Sequence, residues 1–107
     1  MRDASSALRG AQLKEHLRQL QKYGDDGFRV MPNGQFRYYG ELRPADKLGE
    51  MMGRRIVREW DPLTGAKRTW HETLDHAGTV RIVRPQDGPE KIHYHFDQHG
   101  TYEGRRP

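Results

Sequence analysis

The chain has 107 residues, 33% of them hydrophobic, a mean hydropathy of -1.11 and a formal charge of +4. That length supports one domain with one core; no apolar run approaches the ~18 residues needed to span a bilayer, and the absence of cysteine excludes a disulfide framework or a thiolate metal site. The 19 Lys and Arg against 15 acids, with a pI of about 9.6, favour a polyanionic partner.

Residues 5–22, SSALRGAQLKEHLRQLQK, predict an amphipathic helix. Ser5 or Ser6 caps it, Leu13, Leu17 and Leu20 form its apolar stripe, and Gly24 stops it. Gly10 weakens the first turns by about 1 kcal/mol relative to alanine. His16 falls on the polar side and is expected to be inert.

Beyond Gly24 the period changes to two. FRVMPNGQFRYYGEL predicts a hairpin around Pro-Asn-Gly in which Met31 pairs with Gln35, Val30 with Phe36 and Phe28 with Tyr38. Residues 43–53, RPADKLGEMMG, read as a loop with room for a short helical turn. Five strand candidates follow in meander order: RRIVREWD, AKRTWHETLD, TVRIVR, KIHYHFD and TYEG.

The turns DHAGT and DQHGT are alike, with aspartate opening a turn and glycine taking the left-handed conformation before threonine. They set the expected registers: Asp75 with Thr79, Leu74 with Val80, Thr73 with Arg81 and His71 with Val83; then Asp97 with Thr101, Phe96 with Tyr102 and His95 with Glu103. Trp70, Leu74, Val80, Ile82, Ile92, Tyr94, Phe96 and Tyr102 then form the core face under the helix, with Trp60 also in the core. The opposite face carries His71, Arg81, Lys91, His93, His95 and Asp97. The expected class is α+β: residues 1–24 a helical part, 25–107 a twisted antiparallel sheet, and 1–107 one domain.

Five of the six histidines lie between positions 71 and 99, and histidine is the side chain that moves protons near neutral pH. A polar strand face is ordinarily just solvated. Histidines from separate strands beside arginine and lysine, however, match the needs of phosphodiester transphosphorylation: one imidazole takes the 2'-hydroxyl proton, another protonates the leaving 5'-oxygen, and a cation stabilises the phosphate. His71 and His93 form the expected acid/base pair, His95 assists, Arg81 stabilises the transition state, and Lys91 and Arg58 hold flanking phosphates. Neither metal nor cofactor is needed. A competing reading gives His93, His95 and Asp97 to a metal ion. His76 and His99 sit in turns as exposed spacers. Glu72, between Trp70 and Leu74, falls by alternation on the apolar face, where a lone carboxylate is costly; a one-residue slip brings it beside Arg81 as a reserve base or substrate contact.

The stretch GEMMGRRIVREWDPLTGAKRTWHETLDHAGTVRIVRP, followed by KIHYHFDQHGTYEG, resembles the C-terminal toxin domains of bacterial polymorphic toxins, including the Rhs and contact-dependent inhibition types. The motifs are the WDP-TG turn, W-x-E-T-x-D-H-x-G, V-R-x-V-R-P and H-Y-x-F-D. The resemblance implies a domain released from a large carrier lying N-terminal to it, secreted with that carrier, and acting in the cytoplasm of a target bacterium. It also implies a dedicated immunity protein, expected to be acidic at its contact surface, and no membrane partner. Many such domains are RNases, and a helix followed by a curved sheet looks like the barnase and colicin-ribonuclease arrangement. The expected activity is therefore a metal-independent endoribonuclease acting on tRNA or rRNA. The alternatives are a non-enzymatic module that binds nucleic acid or protein, and a metal-dependent nuclease toxin.

Overall fold

The structure, a computed structural model, describes residues 8–86 and 91–107. The expected caps Ser5 and Ser6 and most of the PQDGPE loop lie outside the described residues. One helix, α1 (Ala11–Tyr23), is followed by β1 (Phe28–Val30), β2 (Phe36–Tyr39), β3 (Arg43–Pro44), β4 (Met51–Trp60), β5 (Lys67–Asp75), β6 (Val80–Pro85), β7 (His93–Phe96) and β8 (Tyr102–Arg106). The strands form one antiparallel sheet in the order β1-β2-β4-β5-β6-β7-β8, with β3 on the free edge of the first half of β4. The fold is thus α+β, with a helix on a large antiparallel sheet.

Helix α1 starts immediately after Gly10, the residue whose flexibility opposes helix formation, and ends where the Gly24 amide bonds the Leu20 carbonyl at 2.9 Å. Its inward side is not the leucine stripe. His16 and Gln19 are buried, whereas Leu13 and Leu17 face outward. His16 sits edge-on to Phe28 and Phe36, and its Nδ1 shares a 2.9 Å hydrogen bond with the fully buried Tyr38 hydroxyl. Burial raises the Tyr38 pKa above its ordinary value, so the hydroxyl keeps its proton. A phenol at the centre of the core needs a polar partner, and that requirement turns the histidine inward. Leu8, Phe36, Tyr38 and Trp60 form the buried cluster, with Leu20, Tyr23 and Phe28 against it.

The turns hold as expected: Met31 N–H donates to the Gln35 carbonyl, Asp75 N–H to Thr79 and Asp97 N–H to Thr101. In each of the two related turns the aspartate Oδ1 accepts amides two and four residues on. Phe28↔Tyr38, Val30↔Phe36, Leu74↔Val80 and Phe96↔Tyr102 also pair as expected. Past each turn, however, the register slips. Thr73 pairs with Ile82 rather than Arg81, His71 with Arg84 rather than Val83, and His95 with Gly104 rather than Glu103. In both hairpins the residue two beyond the threonine, Arg81 or Glu103, is the extra residue of a β-bulge.

Residues 43–53 are not a simple loop. They contain β3, and Gly53 permits its approach: a Cβ there would lie 2.3 Å from the Arg43 carbonyl oxygen.

Pairing partners share a face, so the registers define both sides of the sheet. Trp60, Arg58, Ile56 and Arg54 of β4 lie on the helix side with Thr69, His71 and Thr73 of β5, Ile82 and Arg84 of β6, and His93 and His95 of β7. Lys67 pairing with Glu15, and Arg58 bonding Gln19, tie this side to α1. The expectation that the histidines lie opposite the helix is therefore corrected. Helix α1 packs on β2 and β4, and the histidines occupy the uncovered remainder of the same face. No residue of β6, β7 or β8 is buried.

Candidate nucleic-acid interface

Where β5 and β6 emerge from under the C-terminal end of α1, a cleft of about 340 Å³ opens, lined among others by Lys22, Arg43, Arg54, His71 and Arg84. Its carboxylates are Asp25 and Glu41. Burial, then the positive charges of Arg84 and Arg54, pull the His71 pKa below its ordinary value of 6.5. The imidazole is therefore neutral at physiological pH and available to accept a proton.

His71 is the direct partner of Arg84 across β5 and β6, and His93 is the partner of Arg106 across β7 and β8. Between β6 and β7, Ile82 faces His95 and Val83 faces Tyr94; one step further along that register Arg84 comes opposite His93. His71, Arg84, His93 and Arg106 thus form one row across four neighbouring strands on the open part of the helix face. Two strand spacings, roughly 10 Å, separate the backbones of His71 and His93, with Arg84 between them. His93 lies outside the cleft lining. His95 stands in the adjacent row, its ring centroid 6.5 Å from that of His93.

Three arginines of the far face hold carboxylates, whereas Arg29 and Arg105 on that face make no ion pair among the described residues. On the far face Arg37 and Arg68 both donate to Glu59, at 2.7 and 2.8 Å, and Arg55 grips Glu72 at 3.0 Å. Trp70 lies between the guanidiniums of Arg37 and Arg68, each 5.3 Å from its ring centroid, and donates its indole N–H to Glu72 at 3.1 Å. Arg54, Arg84 and Arg106, on the helix face, and Arg43 in the cleft wall make no ion pair with a carboxylate among the described residues.

Other residues singled out from the sequence have structural partners. Arg81, displaced by the bulge, donates Nε to the Phe96 carbonyl at 2.9 Å and reaches Asp75 and Glu50 at 3.5 Å. It joins β6 to β7 and braces the turn, away from His71. Arg58 bonds Gln19 and Thr69 and packs over Tyr23, so it fastens the helix to the sheet. Glu72 shares a face with Trp70 and Leu74, as alternation predicted, but that face is the one away from the helix rather than under it, and Glu72 is not alone there: Arg55 and Trp70 partner it. Trp70 is buried but on the far face rather than under the helix. Lys91 is exposed just before β7. No group of three or more His, Cys, Asp or Glu that could hold a metal ion occurs among the described residues, and the Asp97 carboxylate is taken up by turn amides.

Arg84, which lines the cleft beside His71, was not expected from the sequence, whereas Arg54 belongs to the basic run Arg54, Arg55 and Arg58, which reads as solvated surface able to hold RNA phosphates. A signal was present: strict alternation put Val83 on the wet face and left Arg84 on the apolar one, and one inserted residue reverses both.

Comparison with protein-family models, curated proteins and solved structures gives no match.

Proposed function

We propose that this domain is a metal-independent endoribonuclease working at the His71–Arg84–His93 row. The observation that carries the reading is His71 in a cleft beside Arg54 and Arg84, neither of which makes an ion pair with a carboxylate among the described residues. Unpaired guanidiniums around a cleft suit a phosphate, which accepts their paired N–H groups.

In the proposed reaction His71 removes the proton of an RNA 2'-hydroxyl. The 2'-oxygen attacks the adjacent phosphorus, and the bond to the 5'-oxygen of the next nucleotide breaks. His93 gives a proton to that oxygen, leaving a 2',3'-cyclic phosphate and a 5'-hydroxyl. Arg84 and Arg54 neutralise the charge that builds on the phosphoryl oxygens. Arg84 thus takes the role that the sequence suggested for Arg81.

In the same proposal the domain is the toxic part of an interbacterial effector delivered by a larger carrier, acting on tRNA or rRNA in the target cytoplasm and blocked by an immunity protein. The motif resemblance supports this part of the reading, and an acidic immunity surface suits the unpaired cations. A second reading, a nucleic-acid-binding module without catalysis, is favoured by the position of His93 outside the cleft. Cytosolic expression in a bacterium separates the two: the wild-type domain is expected to arrest growth and degrade RNA, and His71→Ala to do neither. Normal growth with intact RNA at full soluble expression of the wild type would overturn the enzyme reading.

A further inference from the structure

We infer that the row His71–Arg84–His93–Arg106 is a track for single-stranded nucleic acid running across the strands, so that the binding site extends from the cleft to the β8 edge. The inference rests on the nucleic-acid reading of the cleft but not on catalysis. Three strand intervals carry the row over roughly 14 Å, further than one phosphate reaches. The row is accessible along its length, since α1 covers β2 and β4 and nothing in β6 to β8 is buried. Arg84 and Arg106, like Arg54 at the cleft, make no ion pair with a carboxylate among the described residues, whereas Glu59 and Glu72, which hold Arg37, Arg68 and Arg55, lie on the far face. Cations repeated on alternate strands, Arg84 on β6 and Arg106 on β8, attract a repeating anion.

The ligand is single-stranded because of what stands at the inner end of the row. There the track enters a cleft of about 340 Å³ walled by the end of α1 at Lys22 and Tyr23 and by the arm that carries Arg43. That volume is at the small end of ordinary ligand pockets. A flexible strand can turn one nucleotide into it, and a stiff duplex cannot follow.

The test uses the full chain and 2'-O-methyl RNA, whose blocked 2'-oxygen prevents cleavage, so that binding is read whether or not the domain is an RNase. Affinity is measured by fluorescence anisotropy over a range of salt for a dinucleotide, a hexanucleotide and a hexanucleotide duplex. The wild type is expected to bind the single-stranded hexamer at least tenfold more tightly than the duplex, and with a steeper salt slope than the dinucleotide. Arg106→Ala, at an exposed edge position, is expected to lower the hexamer slope by about 0.7, the contribution of one phosphate contact on a single strand, and to leave dinucleotide binding unchanged. Arg68→Ala, on the far face, is expected to change neither. Equal binding of duplex and single strand, or an Arg106→Ala slope equal to wild type, overturns the track. Binding as described without any cleavage of ordinary RNA leaves the track standing and removes the RNase reading.

Discussion

His71 and Arg84 are direct partners across β5 and β6, and the guanidinium's charge, after burial, is what lowers the histidine's pKa. The pair relates charge to proton affinity in both directions: a bound phosphate that neutralises Arg84 raises the proton affinity of His71.

The first prediction concerns pH. Neutral His71 is the reactive form, and its folded pKa lies below the ordinary 6.5, so the acidic limb of the kcat/KM profile is expected below that value. The same shift makes stability fall as pH drops from the unfolded-state pKa to the lower folded one, because the unfolded chain binds the proton more readily. His71→Gln should remove that component. NMR titration of the His71 ring checks both parts: phosphate should move its midpoint upward, and a midpoint at or above 6.5 without phosphate would contradict the account.

Arg84 and Arg81 should separate cleanly. Arg84→Ala is expected to slow cleavage by about 10²–10³-fold, the usual effect of losing one group that stabilises transition-state charge, with little change in melting temperature. Arg81→Ala removes the bond to the Phe96 carbonyl and the contact with Asp75, costing about 1–3 kcal/mol of stability, while the folded fraction keeps its activity. Thermal melts read beside single-turnover cleavage rates distinguish the two; the opposite assignment of effects would restore Arg81 to the site.

On the far face, Glu72→Ala strands Arg55 and the Trp70 indole N–H. Breaking a buried pair by removing one partner costs about 3 kcal/mol, and Arg55 keeps some exposure to water, so the loss should not exceed that figure. Denaturant unfolding measures it. Unchanged stability together with lost RNA binding would move Glu72 from the scaffold to the site.

Helix α1 gives the sharpest contrast with sequence expectation. Leu17, 54% exposed, should tolerate alanine within about 0.5 kcal/mol. His16→Ala leaves the Tyr38 hydroxyl without its ring partner and opens a cavity among Phe28 and Phe36, with an expected loss of about 2–5 kcal/mol. The midpoints and slopes of urea curves for the two variants provide the check, and a Leu17→Ala loss larger than that of His16→Ala would reverse the orientation of the helix.

What was legible in the chain was whatever a local turn determines. Pro-Asn-Gly and the two Asp-x-x-Gly-Thr turns fix their own hydrogen bonds, and so the first pairs of each hairpin follow from the residues in the turn. The bulges at Arg81 and Glu103 lie beyond the residues that the turns fix, and a single inserted residue moved Ile82 and Arg84 together onto the face that carries His71. The inward turn of His16 and Gln19 was equally hidden, because it answers a tyrosine on another element, Tyr38, rather than any period within the helix. His71 was identifiable from its strand position. The guanidiniums that give it its chemistry, Arg54 and Arg84, reach it only through long-range register.

The most direct measurement is incubation of the purified domain with total bacterial RNA in EDTA, beside His71→Ala and Arg84→Ala, followed by analysis of the fragment ends. The account predicts fragments with 2',3'-cyclic phosphate and 5'-hydroxyl ends from the wild type, none from His71→Ala and a strongly reduced yield from Arg84→Ala. Intact RNA with the wild-type domain, or undiminished cleavage by His71→Ala, would contradict it.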